Sequence, residues 1–190
     1  HLLSRRQRQM CIRDRVKIMY SKNAWKKYEQ DNKLKELMDF NNDYKDFISK
    51  SKTERECVSY AISLCQKYGF KDLSQYKSLK KGDKVYTTNK NRNICAFVIG
   101  ERPIEEGINI LGAHIDSPRI DLKQNPLYET TDLALLDTHY YGGIVKYQWV
   151  AHPLALHGVI YKKDGTFINL NIGENENDPV LCITDLLPHL

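Results

Sequence analysis

Residues 108–118 read INILGAHIDSP, a short apolar run joined to a polar end. The run Ile108–Ala113 predicts a buried strand of a sheet. Since alternate residues of an extended chain point to the same side, the His114 imidazole and the Asp116 carboxylate should converge. At the end of a buried strand in an α/β sheet, such side chains face the crevice in which these folds bind ligands. The stretch therefore predicts a concave, partly open site that contains His114 and Asp116.

The His114–Asp116 pair has the chemistry of a metal site. An imidazole binds zinc through one ring nitrogen, and a nearby carboxylate can fix the orientation of that ring. A histidine and an aspartate two positions apart also occur by chance in many proteins. The pair alone is therefore weak evidence for a metal site, and further evidence has to come from the rest of the sequence.

Upstream of this stretch the chain changes from helical to extended patterns. Apolar residues at three- and four-residue steps between about residues 21 and 50 predict two helices or one interrupted helix. Thr53 followed by Glu56 is typical of a capping box, and the apolar stripe after it ends at Gly69, a residue suited to the position just past a helix. Residues 84–88 and 94–99 flank a polar turn and predict a β-hairpin. These patterns predict the α/β fold class.

Downstream of about residue 131 the apolar pattern becomes short and strand-like. Residues 145–150, 156–161 and 167–170 predict strands, and residues 163–165 predict the turn of a second hairpin. We therefore expect a basic tail at 1–15, an α/β part at 16–130 and a β-rich part at 131–190.

The net charge of +5 is concentrated at one end of the chain. Five arginines and one aspartate lie within residues 1–15, so the rest of the chain carries a net charge of only +1. This distribution argues against a nucleic-acid partner. The basic end fits no element that follows it, so we expect it to be non-native and to pack against nothing.

The apolar runs and the cysteines indicate the type of cellular compartment. No window approaches the roughly 18 apolar residues of a membrane span, so no membrane partner is expected. The five cysteines lack C-x-x-C spacing. This argues against a zinc ribbon or a disulfide framework and indicates a reducing, cytoplasmic setting.

Four ordered segments carry a resemblance to a known family. Leu111–Arg119 resembles the first metal motif of the M18 metallopeptidases, the aspartyl aminopeptidase family. Tyr141–Ile144, Pro153–Ile160 and Leu187–Leu190 resemble later family motifs in the expected order. The resemblance implies the N-terminal part of an α/β zinc-aminopeptidase catalytic domain, followed by part of an inserted β-rich dimerisation domain.

The resemblance also implies an activity. Such enzymes use two zinc ions and a glutamate base to hydrolyse the first peptide bond of a peptide, in some members next to an acidic residue. Here His114 would be a zinc ligand, and Asp116 would be the catalytic carboxylate that orients it. Peptide substrates and a homo-oligomer are the implied partners.

The chain departs from the family pattern at the remaining ligands. The Glu-Glu pair at Glu105–Glu106 precedes the His-x-Asp motif and predicts a solvated turn, so the other ligands and the base are expected beyond Leu190. His139, His152 and His157 are expected to be hydrogen-bonded structural residues. The competing interpretation is a non-catalytic fragment that acts only as a structural or oligomerisation module.

Overall fold

The computed structural model describes residues 23–184. The predicted basic tail and the Leu187–Leu190 motif therefore lie outside the described residues. The chain divides into two units, one up to Asp46 and one from Phe47 onward. Both helices and strands are present, which confirms the mixed helix-and-sheet class.

The first unit is helical in its described part. Helix α1 (Ala24–Gln30) begins after Asn23, whose side chain accepts a hydrogen bond from the Trp25 backbone N at 3.0 Å. Asn32 has a left-handed φ of 53° between this helix and helix α2 (Leu34–Lys50), which runs on into the second unit. Of the two arrangements predicted, two helices or one interrupted helix, the structure shows two helices. No helix between residues 23 and 184 is long and apolar enough to cross a membrane.

Helix α3 (Glu54–Lys67) has the predicted capping box. Thr53 Oγ1 accepts a hydrogen bond from the Glu56 backbone N at 3.3 Å, and Glu56 Oε2 accepts one from the Thr53 N at 2.9 Å. Two of the free N–H groups at the helix start are satisfied in this way. Gly69 has a φ of 80°, an angle that residues with a Cβ rarely adopt. It lies just past the end of α3, so the predicted helix end is also confirmed.

Helix α3 packs against a three-stranded sheet in the order β1-β2-β3. Strand β1 (Lys71–Asp72) pairs in parallel with β2 (Lys84–Asn89), and β2 pairs antiparallel with β3 (Asn93–Val98), as the predicted hairpin requires. The buried residues within 23–184 are Cys57, Val58, Val85 and Tyr86. They come from the helix and the central strand, so the core of the described chain lies between these two elements.

Two further antiparallel hairpins follow. Strand β4 (Arg119–Thr130) pairs with β5 (Leu133–Tyr141), and β6 (Leu156–Tyr161) pairs with β7 (Phe167–Ile172). The second hairpin is the one predicted from the sequence. The boundary expected at 130/131 falls in the turn of the first hairpin, so β4 and β5 pair across it, and the division into domains stays a prediction.

Two strand predictions are wrong. Residues 107–118 lie outside helices and strands, and Ile110 is 77% exposed. A strand needs a neighbour for its backbone hydrogen bonds, and residues 23–184 supply none to this segment. In place of the strand expected at 145–150, Lys146–Gln148 form a 3-10 helix, because the Gln148 N–H bonds locally to the Val145 oxygen at 3.0 Å.

Candidate functional site

The predicted convergence of His114 and Asp116 is present although no strand precedes them. His114 Nδ1 lies 2.9 Å from the backbone oxygen of Asp116 and 3.1 Å from its Oδ1. The His114 side chain is 83% exposed, so it does not lie in a closed apolar core. The expectation that a strand carries the pair is wrong, while the contact between the two side chains is as predicted.

This contact determines which nitrogen of His114 carries the proton. A backbone carbonyl can only accept a hydrogen bond, so Nδ1 is the donor toward Asp116. In a neutral imidazole the proton on Nδ1 leaves the lone pair on Nε2. Histidine binds a metal through such a lone pair, while its other ring nitrogen donates a hydrogen bond to a carboxylate or a carbonyl oxygen.

Asp116 has a second partner on another element. The Tyr141 hydroxyl, at the end of β5, donates a hydrogen bond to Asp116 Oδ2 at 3.0 Å. This bond holds the pKa of the Asp116 carboxyl below its usual value, and it raises the pKa of Tyr141. Asp116 is therefore held in its ionised form as an acceptor for both neighbours.

The Tyr141 ring is in turn in contact with Arg119. The Arg119 guanidinium lies 4.1 Å from the ring centroid, a cation–π contact. Its Nε donates to Asp121 Oδ1 at 2.7 Å and its Nη1 to Glu54 Oε1 at 3.1 Å. Burial alone would lower the pKa of Arg119, but the two carboxylates outweigh it and raise that pKa. Arg119 stays charged and joins the start of α3 to the start of β4.

Within residues 23–184, His114 is the predicted metal ligand, and Asp116 is the carboxylate in contact with it. No group of three or more His, Cys, Asp or Glu side chains that could hold an ion is formed within residues 23–184. Glu105 and Glu106 lie in a 3-10 helix between Pro103 and Gly107 and are exposed, as predicted for a solvated turn. The chemistry of His114 fits zinc, because the Nε2 lone pair is left for a metal while Nδ1 contacts the Asp116 carboxylate.

A cavity of about 520 Å³ lies elsewhere, on the β4–β5 hairpin. Its lining residues are Leu127, Tyr128, Glu129, Asp132 and Ala134. Neither His114 nor Asp116 lines it. A concave surface around His114 therefore stays a prediction.

His157 is a hydrogen-bonded structural histidine, as predicted. Its Nδ1 lies 2.7 Å from Glu56 Oε1, and its Nε2 lies 2.9 Å from Glu174 Oε1. Both nitrogens are engaged by carboxylates and the side chain is only 11% exposed. Its ring nitrogens are therefore taken up by structural contacts.

Three neighbours of the site were not predicted from the sequence: Tyr141, Arg119 and Glu54. Strand register is the signal that identifies Arg119 and Tyr141 as neighbours, because they pair across the β4–β5 ladder, whereas Glu54 lies on a helix and no strand pattern indicates it. The register of this strand pair shifts between Leu122 and Leu127, and periodicity alone does not reveal such an irregularity.

Comparison with known proteins connects this geometry to a family. The family described as Aminopeptidase I zinc metalloprotease (M18) matches residues 47–190. A probable M18 family aminopeptidase 1 from Clostridium acetobutylicum is 56% identical over 173 residues, which are 89% of this chain and 37% of that protein.

Solved structures agree with this match. The crystal structure of aminopeptidase I from Borrelia burgdorferi B31 has a TM-score of 0.79 at 43% identity and covers 88% of this chain and 41% of that one. The S. cerevisiae mApe1 dodecamer has a TM-score of 0.67 at 28% identity, over 80% of this chain and 36% of that one. The chain thus spans less than half the length of these relatives. Since the family match covers well over half of its residues, the chain belongs to the M18 family of aminopeptidase I zinc metalloproteases.

Proposed function

We propose that this chain contributes part of the zinc site of an aminopeptidase, with His114 as a metal ligand and Asp116 as the carboxylate that orients it. The contact of 3.1 Å between His114 Nδ1 and Asp116 Oδ1 carries the proposal. It is the arrangement found behind metal-ligating histidines, where the carboxylate fixes the tautomer and increases the basicity of the ligand. The family to which the chain belongs supports zinc as the metal.

Each residue has a defined task in this proposal. His114 presents the Nε2 lone pair, and Asp116 holds the proton on Nδ1 and keeps the ring from rotating. Zinc, when bound, lowers the pKa of a water molecule and polarises the scissile carbonyl. Two zinc ions are expected in the complete protein. The further ligands and the general base are expected outside residues 23–184.

The proposed substrates are peptides with a free α-amino end, including those with an acidic first residue. We further propose a homo-oligomer, because a relative of this chain is a dodecamer. Exposed apolar side chains on the β4–β5 hairpin, such as Leu127 and Leu133, provide surface that such an assembly could cover. A cytoplasmic location is consistent with the free thiols of Cys57, Cys65, Cys95 and Cys182.

The test uses the protein expressed from its complete coding sequence. Zinc content and hydrolysis of chromogenic Asp, Glu and Leu substrates are measured for the wild type, for His114→Ala and for His152→Ala, an exposed histidine outside the site. We expect His114→Ala to lose at least about 100-fold in activity, together with bound zinc, because outer partners alone already account for about 10- to 100-fold. Unchanged zinc content and activity in His114→Ala would remove the metal role from this residue.

A further inference from the structure

The two oxygens of the Asp116 carboxylate have different partners. Oδ1 lies 3.1 Å from His114 Nδ1, and Oδ2 accepts the Tyr141 hydroxyl hydrogen bond at 3.0 Å. The terminal torsion of an aspartate is broad, so one hydrogen bond alone leaves the carboxylate plane poorly defined. Two partners, one on each oxygen, define that plane. One of them, His114, belongs to the His-x-Asp motif, and the other, Tyr141, lies outside it.

The Tyr141 ring is itself held in place. Arg119 lies against its face at 4.1 Å, and the guanidinium is fixed by Asp121 at 2.7 Å and by Glu54 at 3.1 Å. The Arg119 side chain is only 27% exposed, so these contacts are shielded more than surface ion pairs are. A continuous set of contacts therefore runs from the start of α3 to the ring of His114.

We propose that Tyr141 is a positioning residue of the metal site, whose hydroxyl holds the Asp116 carboxylate in the orientation that binds His114 Nδ1–H. The metal part of this inference rests on the proposed function of His114. Tyr141 acts through Asp116: without the hydroxyl, the carboxylate is free to rotate, and the His114 Nδ1–H keeps the Asp116 backbone oxygen as an acceptor but loses the carboxylate oxygen. The zinc ligand is then less well organised before the metal binds.

The matched variants are Tyr141→Phe and Tyr140→Phe. Both remove one hydroxyl and keep the ring, and Tyr140 is an exposed neighbour on the same strand whose ring contacts Lys146. If Tyr141 served only in sheet packing or at an interface, its ring would carry that role, and phenylalanine keeps the ring. A difference between Tyr141→Phe and Tyr140→Phe therefore reports the role of the Tyr141 hydroxyl.

The first readout needs no metal. Solid-state ¹⁵N NMR of the metal-free protein, expressed from its complete coding sequence, reports which nitrogen of His114 is protonated, and the His114 signals are identified by their loss in His114→Ala. We expect the Nδ1–H form in all three proteins, because the Asp116 backbone oxygen also accepts this proton. A hydrogen bond to a carboxylate moves the Nδ1–H proton resonance further downfield, and we expect this downfield shift in the wild type and in Tyr140→Phe and a smaller one in Tyr141→Phe. An unchanged Nδ1–H resonance in Tyr141→Phe would overturn the proposal.

The second readout is the zinc dissociation constant, measured by competition with a chromophoric chelator. We expect Tyr141→Phe to weaken zinc binding about 3- to 10-fold, below the roughly 10- to 100-fold known for direct partners of a ligand. Arg119→Lys, which keeps the hydroxyl but loosens the ring, should act in the same direction and serves if Tyr141→Phe fails to fold.

The outcomes separate this inference from the proposed function. If His114→Ala loses zinc while Tyr141→Phe behaves as Tyr140→Phe in both readouts, the metal role stands and the positioning role fails. If His114→Ala keeps its zinc, the proposed function fails, while a reduced downfield shift of the His114 Nδ1–H in Tyr141→Phe still supports the positioning of Asp116 and His114.

Discussion

His157 Nδ1 lies 2.7 Å from Oε1 of Glu56, a residue 101 positions earlier in the chain. The other oxygen of Glu56 accepts the Thr53 backbone N–H and closes the capping box of α3. On its far side, His157 Nε2 lies 2.9 Å from Glu174 Oε1. One histidine on β6 thus joins the start of α3 to the segment that follows β7.

We expect the His157 bridge to be strongest at acidic pH. Burial lowers the pKa of His157, but the hydrogen bonds and charges of Glu56 and Glu174 outweigh it, so the pKa is raised above 6.5. A raised folded-state pKa contributes stability that is complete below the unfolded value of about 6.5 and is lost as the pH rises through the folded value.

The measurement is hydrogen–deuterium exchange of peptides covering residues 54–67, in the wild type and in His157→Gln, at several pH values. The substitution should destabilise this region by about 1–2 kcal/mol just below about pH 6.5, and the difference should shrink as the pH rises. His152→Gln is the control, since His152 is exposed. A difference that is constant with pH would show that the charge of His157 does not stabilise the bridge.

We expect Thr53→Ala, which breaks the capping box, to destabilise the first turn of α3. The variant removes the side-chain acceptor of the Glu56 N–H, a loss of about 1 kcal/mol. Exchange in the first turn of α3 should become about fivefold faster. Ser63→Ala is the matched control, because the Ser63 hydroxyl only bonds to the Tyr60 oxygen of its own helix. Equal exchange in both variants would contradict the capping role.

We expect Val58→Ala, a substitution in the core, to have a larger effect on stability. Val58 is fully buried between α3 and the sheet, whereas Val98 on β3 is 62% exposed. Removing two buried methyl groups should cost about 2 kcal/mol in the free energy of local opening, and Val98→Ala should cost well under about 1 kcal/mol. Protection of β2 and α3 against exchange checks both values. A smaller loss for Val58→Ala than for Val98→Ala would place the core elsewhere.

The isolated 190-residue chain should show negligible peptidase activity, even in excess zinc. Catalytic zinc sites use about three protein ligands and keep a position open for water, whereas the described residues offer His114 and its orienting carboxylate. Release of the first residue from a chromogenic substrate, with and without zinc, checks this expectation. Turnover comparable to that of the complete protein would show that the segment contains a whole site.

Local patterns in the sequence predicted the elements whose hydrogen bonds close within a few residues. The capping box at Thr53 and Glu56, the left-handed Gly69 and the hairpins around residues 90 and 164 all formed as expected. The His114–Asp116 contact is of the same kind, since two positions in sequence already bring the side chains within reach. In each case the interaction needs only a short loop to close, so its residues can be recognised from their spacing.

Tertiary structure decided the rest. Periodicity predicted a buried strand at residues 108–113, but burial depends on neighbouring strands, and the segment is exposed. The pairing of β4 with β5 brings the Tyr141 hydroxyl to Asp116, and the packing of β6 near α3 brings His157 to Glu56. These contacts join positions from 25 to 101 residues apart. No local spacing encodes them, because they depend on how separate elements pack and pair.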